Sequence, residues 1–314
     1  MGNSNPMRTL LLFLSAIVLI SCNTKTAEEG VNPIMHYEAI SLLGDTLRPG
    51  VPSEKLMGLL NEKKAAFVKD SNNLDNTIWY GRFTAYKGDY QKAIRIYSEG
   101  LKRFPDESRL LRHRGHRYIS IREFDKAIED LSRAAELIEG EENQTEPDGM
   151  PNARNIPVST MHGNIYYHLG LAHYLNQDFN MALEAYKKCL ETSSNPDNVV
   201  SSTHWIYMIN RRMGRIETAS QYLEPITEDM DIIENDAYHK ACLMYKGLLQ
   251  PDSLYQPGAE VSASGSALNY AIGNWYFYNG DREKAREIFE AIVAGDDWAS
   301  FGYIAAESDL ANRY

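Results

Sequence analysis

Two helical hydrophobic faces flank the body of this chain, and between them a pattern repeats. Leu56, Leu59, Leu60, Ala66 and Phe67 share one side of a helix over 53–70. Phe301, Ile304, Ala305 and Leu310 do the same for a helix over 298–312, since residues three and four apart stack on one helical face. Between these ends the positions fall into columns. A small residue recurs at Gly81, Gly115, Gly170 and Gly273, and an alanine at Ala93, Ala127, Ala182, Ala219 and Ala285. A bulky residue recurs at Tyr97, Leu131, Tyr186, Leu223 and Phe289. Gly81 to Gly115 is a step of 34 residues, and so is Ala93 to Ala127. That period predicts stacked helical hairpins, with glycine where two helices come closest and the bulky residue plugging the gap between hairpins. Gly88, Gly214, Gly247 and Gly280 fall between the two helices of a hairpin, where glycine takes left-handed angles cheaply.

Aligned on the small column, six units begin at Leu74, Ser108, Gly163, Val200, Ile233 and Ser266, spaced 34, 55, 37, 33 and 33. Unit four has Tyr207 in place of the small residue. Unit five offers a first helix over 236–246, but Pro251 and Pro257 deny it a regular second one. The long step hides an insert of about 21 residues, the excess over the period, from Glu141 to His162. Its Pro147, Gly149, Pro151 and Pro157 argue against helix. Irregular segments of that length inside a compact array are uncommon and tend to be functional or disordered; its apolar and proline content favours an ordered loop folded onto the array. Gln250–Gly265 is a second irregular excursion. The expected partition is a helical cap over 36–73, units one and two over 74–140, the loop over 141–162, units three to six over 163–295, and a capping helix over 296–314. The terminal helices would cover the array's otherwise exposed apolar faces.

Unit one shows the pattern in full. It reads Ile78-Trp79-Tyr80-Gly81, then Gly88-Asp89-Tyr90-Gln91-Lys92-Ala93, then Tyr97, and closes at Phe104-Pro105. These residues resemble the tetratricopeptide repeat family, over roughly 74–292. The resemblance implies an all-α solenoid of about five to six helical hairpins that binds a protein or peptide in a concave groove.

The first residues read as an address. Arg8 precedes the apolar run Thr9–Ile20, which is too short for a bilayer span of roughly 20 residues and suits the centre of a signal peptide. Leu19-Ile20-Ser21-Cys22 resembles the lipobox of bacterial lipoproteins. The resemblance implies a signal peptide over 1–21, a lipidated Cys22 and a polar tether over 22–35. Acyl chains at about 0.8 kcal/mol per buried methylene would anchor the chain to a membrane. Asn23, where an aspartate retains some lipoproteins at the inner membrane, favours the outer membrane and leaves the face open. An ordinary cleaved signal followed by a chance cysteine is the competing reading.

Charge narrows the partners. The chain carries 32 basic and 43 acidic residues, a net −11, which argues against nucleic acid. Cys189 and Cys242 have no metal-type spacing; buried thiols are the default, with a disulfide left open.

Carried over, the repeat resemblance turns positions two, five, nine and twelve of each first helix into the groove. This selects Arg82 from unit one, Arg109, Arg112 and His116 from unit two, Asn164 and Tyr167 from unit three, His204 and Arg211 from unit four, and Asn274 from unit six. The densest cluster, Arg109 through Arg117, suits an anionic group, because guanidinium forks match carboxylate or phosphate. Equally, the arginines could pair internally with Glu107, Asp130, Glu146 or Asp148 and pin the loop.

Three functions follow. The first is an envelope adaptor holding a protein or peptide, acidic in character. The second is a glycan or small-molecule binder stacking sugars on Trp79, Tyr167, Trp205 and Tyr270. The third is an enzyme using His113 and His116 with Glu146 or Asp148. No HExxH, Walker loop, GxSxG or CxxC is present, so no cofactor or metal is expected.

Overall fold

The columns become packed helix pairs, with additions at both ends. The computed structural model describes residues 1–2, 37–255 and 262–314. Cys22, the segment before it, the tether and Pro257 lie outside the described residues. The segment expected as a helical cap opens instead on a small antiparallel hairpin, β1 (Ala39–Ile40) with β2 (Thr46–Leu47). Gly44 turns it at φ +97°. Helix α1 (Glu54–Lys69) follows, its first turn capped by the Ser53 hydroxyl accepting from Leu56 N–H.

Six units come next. Unit one is α2 (Leu74–Tyr86) and α3 (Tyr90–Arg103); unit two is α4 (Ser108–Ser120) and α5 (Phe124–Leu137). Unit three is α6 (Met161–Leu175) and α7 (Phe179–Glu191); unit four is α8 (Pro196–Arg212) and α9 (Ile216–Tyr222). Unit five has α10 (Asp236–Tyr245) and only a one-turn α11 (Pro251–Leu254), and unit six is α12 (Ala263–Tyr278) with α13 (Arg282–Val293). Among the described residues no helix is long and apolar enough to cross a membrane.

The small column has a sharper cause than helix proximity alone. A Cβ on Gly81 would lie 2.2 Å from the ring of Tyr97, one on Gly170 2.7 Å from Tyr186, and one on Gly273 2.6 Å from Phe289. The plug of each unit thus lies flat on the glycine of the same unit. Tyr207 breaks the column because its ring stacks on Tyr245, 4.3 Å between centroids. Among the largest buried side chains, Trp205, Tyr174, Tyr186 and Tyr270 meet where units three, four and six come together. Burying each is worth about 2–3 kcal/mol or more against water.

The turn column continues through the units that lack glycine. Gly88, Arg122, Gln177, Gly214, Gly247 and Gly280 all have positive φ. Arg122 and Gln177 hold φ +67° and +63°, angles that cost a non-glycine residue about 1–2 kcal/mol.

Helix α14 (Phe301–Arg313) packs on α12 and α13 of the last unit, as an end cap does, and also reaches beyond that end. Every residue from Gly302 to Asp309 is buried, so the helix has no solvent face over two turns. It lies against the row of first helices. Ser308 donates to Leu175 O on α6, and Asp309 takes Arg212 of α8 and Tyr270 of α12. A Cβ on Gly302 would meet the Ser266 carbonyl oxygen at 2.2 Å. The two non-glycine turn residues grip the same helix: Arg122 forks onto Glu307, and Gln177 donates to Ser308. Leu42 N–H reaches Glu307 as well, and the Trp298 indole donates to Arg48 O. The N-terminal hairpin and the last helix therefore meet.

Candidate functional site

The inserted loop is ordered by its own two ends. Glu146 N–H donates to Ser159 O and Met161 N–H to Gln144 O, around a bridge between Thr145 and Thr160. This pairing delivers the Glu146 carboxylate into the arginines of α2 and α4. Its oxygens stand 3.3 Å from Arg112, 3.4 Å from His113 and 3.7 Å from Arg82. Asn164 on α6 donates to it at 2.8 Å, and Arg82 also donates to Pro147 O. The other expected internal pairs form too, with Arg109 on Glu107 and Asp75, and Arg114 forked onto Asp130. Asp148 makes no ion pair among the described residues, and burial raises its carboxyl pKa against the opposing charge of Arg82.

The pairing at Glu146 is incomplete. Its Oε1 and the Nε of Arg112 are buried without a hydrogen-bond partner. Burial lowers the Arg112 pKa, Glu146 opposes that, and Arg82 and Arg117 add to it. Burial also holds His113, His116 and His168 well below the imidazole range, helped by neighbouring arginines. All three rings are therefore neutral near pH 7. His113 Nδ1 then accepts from Arg112 at 2.8 Å, which puts its proton on Nε2, facing Glu146.

Beside this cluster opens a cavity of about 550 Å3 between α2, the start of α4, the end of α5 and the loop. Trp79, Arg82, Arg109, Glu107 and Pro147 are on its walls. Arg109 keeps 42% of its side chain exposed. Trp79 stacks its ring under the Arg82 guanidinium at 4.6 Å.

The remaining sequence-selected residues separate into other places. Tyr167 shares a hydrogen bond with Tyr238 at 2.7 Å, receives one from Trp205, and with Asn164 lines a second cavity of about 220 Å3. His204 is buried against the rings of Tyr238 and Tyr245, and burial lowers its pKa to about 3. Arg211 bonds Tyr207 and Asn279 and lies over Tyr278. Asn274 is fully buried, donating to Tyr174 and accepting from Arg212. One open groove lined by all nine does not exist, because α14 occupies the middle of the row. Trp205 and Tyr270 are buried and offer no face to a sugar.

The inner row also contains a pair that the positional rule did not select. Arg212 forks onto Asp309, and Arg122 onto Glu307, both nearly inaccessible to water. Two signals for it stood in the sequence. Arg122 and Gln177 interrupt the glycine column, and Glu307 and Asp309 interrupt an otherwise small, apolar helix.

A solenoid of six helical units, with the glycine column in four of them and the plug column in five, is thus the class of protein. The tetratricopeptide repeat pattern is matched over residues 163–196 and again over 267–294, within units three and six. Tetratricopeptide repeat protein 12 of Mus musculus is 30% identical over 105 residues, covering 33% of this chain and 12% of its own length. The chain therefore matches only a small part of that relative. A tetratricopeptide repeat protein from Parabacteroides merdae ATCC 43184 has TM-score 0.48 at 16% identity, covering 81% of this chain and 92% of that one. YrrB, described as a TPR protein with an unusual peptide-binding site, has TM-score 0.42 at 15% identity, covering 74% and 91%. The chain carries tetratricopeptide repeats over 163–196 and 267–294, within an all-helical repeat fold, and such repeats serve generally as scaffolds for protein–protein interaction.

Proposed function

We propose that this chain is a lipid-anchored adaptor of a bacterial cell envelope, held at the outer membrane through Cys22, that docks a protein or peptide segment beside units one and two. The observation that carries the docking site is the 550 Å3 cavity between the first helices and the loop. Aromatic and arginine side chains at a recess are the usual anchors of protein interfaces, and Trp79 with Arg109 supplies both. Asp75, Glu107 and Glu141 share the walls, so the ligand that fits alternates charge: an acidic group on Arg109 beside basic or polar ones. A uniformly acidic partner fits less well. The anchor rests on the Leu19-Ile20-Ser21-Cys22 motif and the short apolar run before it.

The test is crosslinking capture in intact cells with the full chain, beside Trp79→Ala and Arg109→Glu variants of matched melting temperature. A partner recovered with the wild type and lost with both variants supports the site. Equal recovery by all three rejects it. Separately, mass spectrometry of the mature N-terminus reads the anchor. An unmodified cysteine, or a Cys22→Ala chain that stays in the membrane fraction, removes the lipoprotein reading while leaving the docking site standing.

A further inference from the structure

A third, smaller cavity of about 110 Å3 lies between α2, α3 and α4. Its charged walls are Arg82, Arg112 and Arg117, and its polar ones include Tyr97, His113 and His116. We propose that this cavity is a binding site for a small tetrahedral oxyanion of the phosphate or sulfate class, a ligand distinct from the docked partner.

The argument begins with charge. Three guanidiniums face one carboxylate, Glu146, which reaches Arg112 and Arg82 at 3.3 and 3.7 Å. Counting Asp148 beside Arg82 still leaves one positive charge over. Arg117 has no hydrogen bond or ion pair among the described residues; only the Tyr90 ring lies under it, at 5.3 Å. Arg112 is buried and Arg117 half-buried, and a charge withdrawn from water without a partner is costly to hold. An anion is the direct remedy.

Geometry points the same way. Arg112 is only 7% exposed, and its Nε has no hydrogen-bond partner among the described residues. The rest of that guanidinium is engaged: one terminal nitrogen with His113, the other with Glu146. A donor left over on a buried, planar group is the handle a tetrahedral oxyanion takes, since its oxygens accept from several forks at once. Size fits as well. At about 110 Å3 the cavity is far below the roughly 300–1,000 Å3 of pockets for drug-sized ligands, and a small polyatomic ion suits it. A peptide chain does not fit there, which separates this ligand from the one proposed for the larger cavity.

The neutral imidazoles of His113 and His116 matter to the choice of ligand. They add no charge, so three arginines against Glu146 and Asp148 leave the site near +1 or +2 at neutral pH, and His116 can donate to the ligand while the His113 proton faces Glu146. That suits a phosphate monoanion or dianion and leaves chloride with most of the donors unmet.

The experiment is isothermal titration and thermal melting of the full chain with sodium phosphate, sodium sulfate and O-phosphoserine, against sodium chloride at equal ionic strength. Saturable binding with a raised melting temperature is expected for phosphate. Arg117→Gln should weaken it about tenfold or more, the scale of one charged hydrogen bond. Glu146→Gln, which removes the competing carboxylate, should strengthen it by a similar factor, a gain that misfolding cannot imitate. Arg286→Gln, on the exposed face of α13 and away from both cavities, should leave it unchanged. Phosphoserine binding as tightly as phosphate would identify a phosphate carried on another molecule; binding of phosphate alone would identify the free ion. The proposal fails if neither the wild type nor Glu146→Gln binds phosphate or sulfate saturably. It fails equally if Arg286→Gln abolishes binding while Arg117→Gln does not.

Discussion

Both halves of the row of first helices bury arginines against carboxylates supplied from elsewhere in the chain, and they do so with different completeness. At the α14 half, Arg212 and Asp309 are each 1% exposed, joined by two hydrogen bonds, and Asp309 also takes Tyr270 and Arg313. At the loop half, one carboxylate is spread over two arginines and an imidazole at 3.3–3.7 Å, and buried atoms on both sides go unpartnered. Buried ion pairs stabilise only when geometry and remaining hydrogen bonds are satisfied. The α14 half meets that condition and is architecture. The loop half does not, and that leftover capacity is what a ligand can use.

Acid should break the loop half first, and by the most. Histidines whose folded pKa is depressed stay neutral in the fold but take protons once unfolded. Their contribution is present above the unfolded value near 6.5 and lost as pH falls below it, continuing to about 3 for His204. Each such histidine costs about 1.4 kcal/mol per pH unit in that window. His113, His116 and His168 lie at the loop half, His204 under α10. Urea midpoints should therefore drop steeply from pH 7 to 5, with hydrogen exchange opening α4 and α6 before α14. Earlier exchange in α14 would invert the comparison.

Removing Asp309 is the next largest effect. Asp309→Ala strands Arg212 in the interior and should cost about 3–5 kcal/mol, while Glu146→Ala should cost less than half of that in chemical denaturation. Equal losses would mean that the two pairings are equivalent after all. Steric tests come third. Gly302→Ala drives a methyl group into the Ser266 backbone and should lose about 1–3 kcal/mol. Gly149→Ala meets the ring end of Tyr86, an exposed side chain that can move aside, and should lose less than about 1 kcal/mol. The smallest effect belongs to Arg109. Half exposed between Asp75 and Glu107, it should change stability by under about 1 kcal/mol as Arg109→Gln, which a melting curve can confirm before any binding assay uses that variant.

The repeat was legible because its constraints are local. A plug lies on a glycine of its own unit, so Gly81 with Tyr97 or Gly170 with Tyr186 can be read from columns alone. Tyr207 and the short α11 were legible as breaks for the same reason. The position of α14 was not, because it depends on curvature accumulated over six units, and a helix that caps an end has the same apolar spacing as one that enters the row. The pairing of Arg82 and Arg112 with Glu146 stood among the expected alternatives, since charge type restricts who can meet whom. Which of two arginines on α8 turns inward was beyond the positional rule: Arg211 was selected, and Arg212 makes the buried pair.

An open solenoid is close to a linear polymer: each unit knows only its neighbours, and its ends can fray while the middle persists. Here the last helix is held by turns from units two and three, by α8 and α12, and by the backbone of Leu42 near the other end. The last of those contacts joins residues 265 apart in the chain. Unit-by-unit fraying from the ends should then give way to a more cooperative transition, in which strain at one unit is felt at units far along the chain.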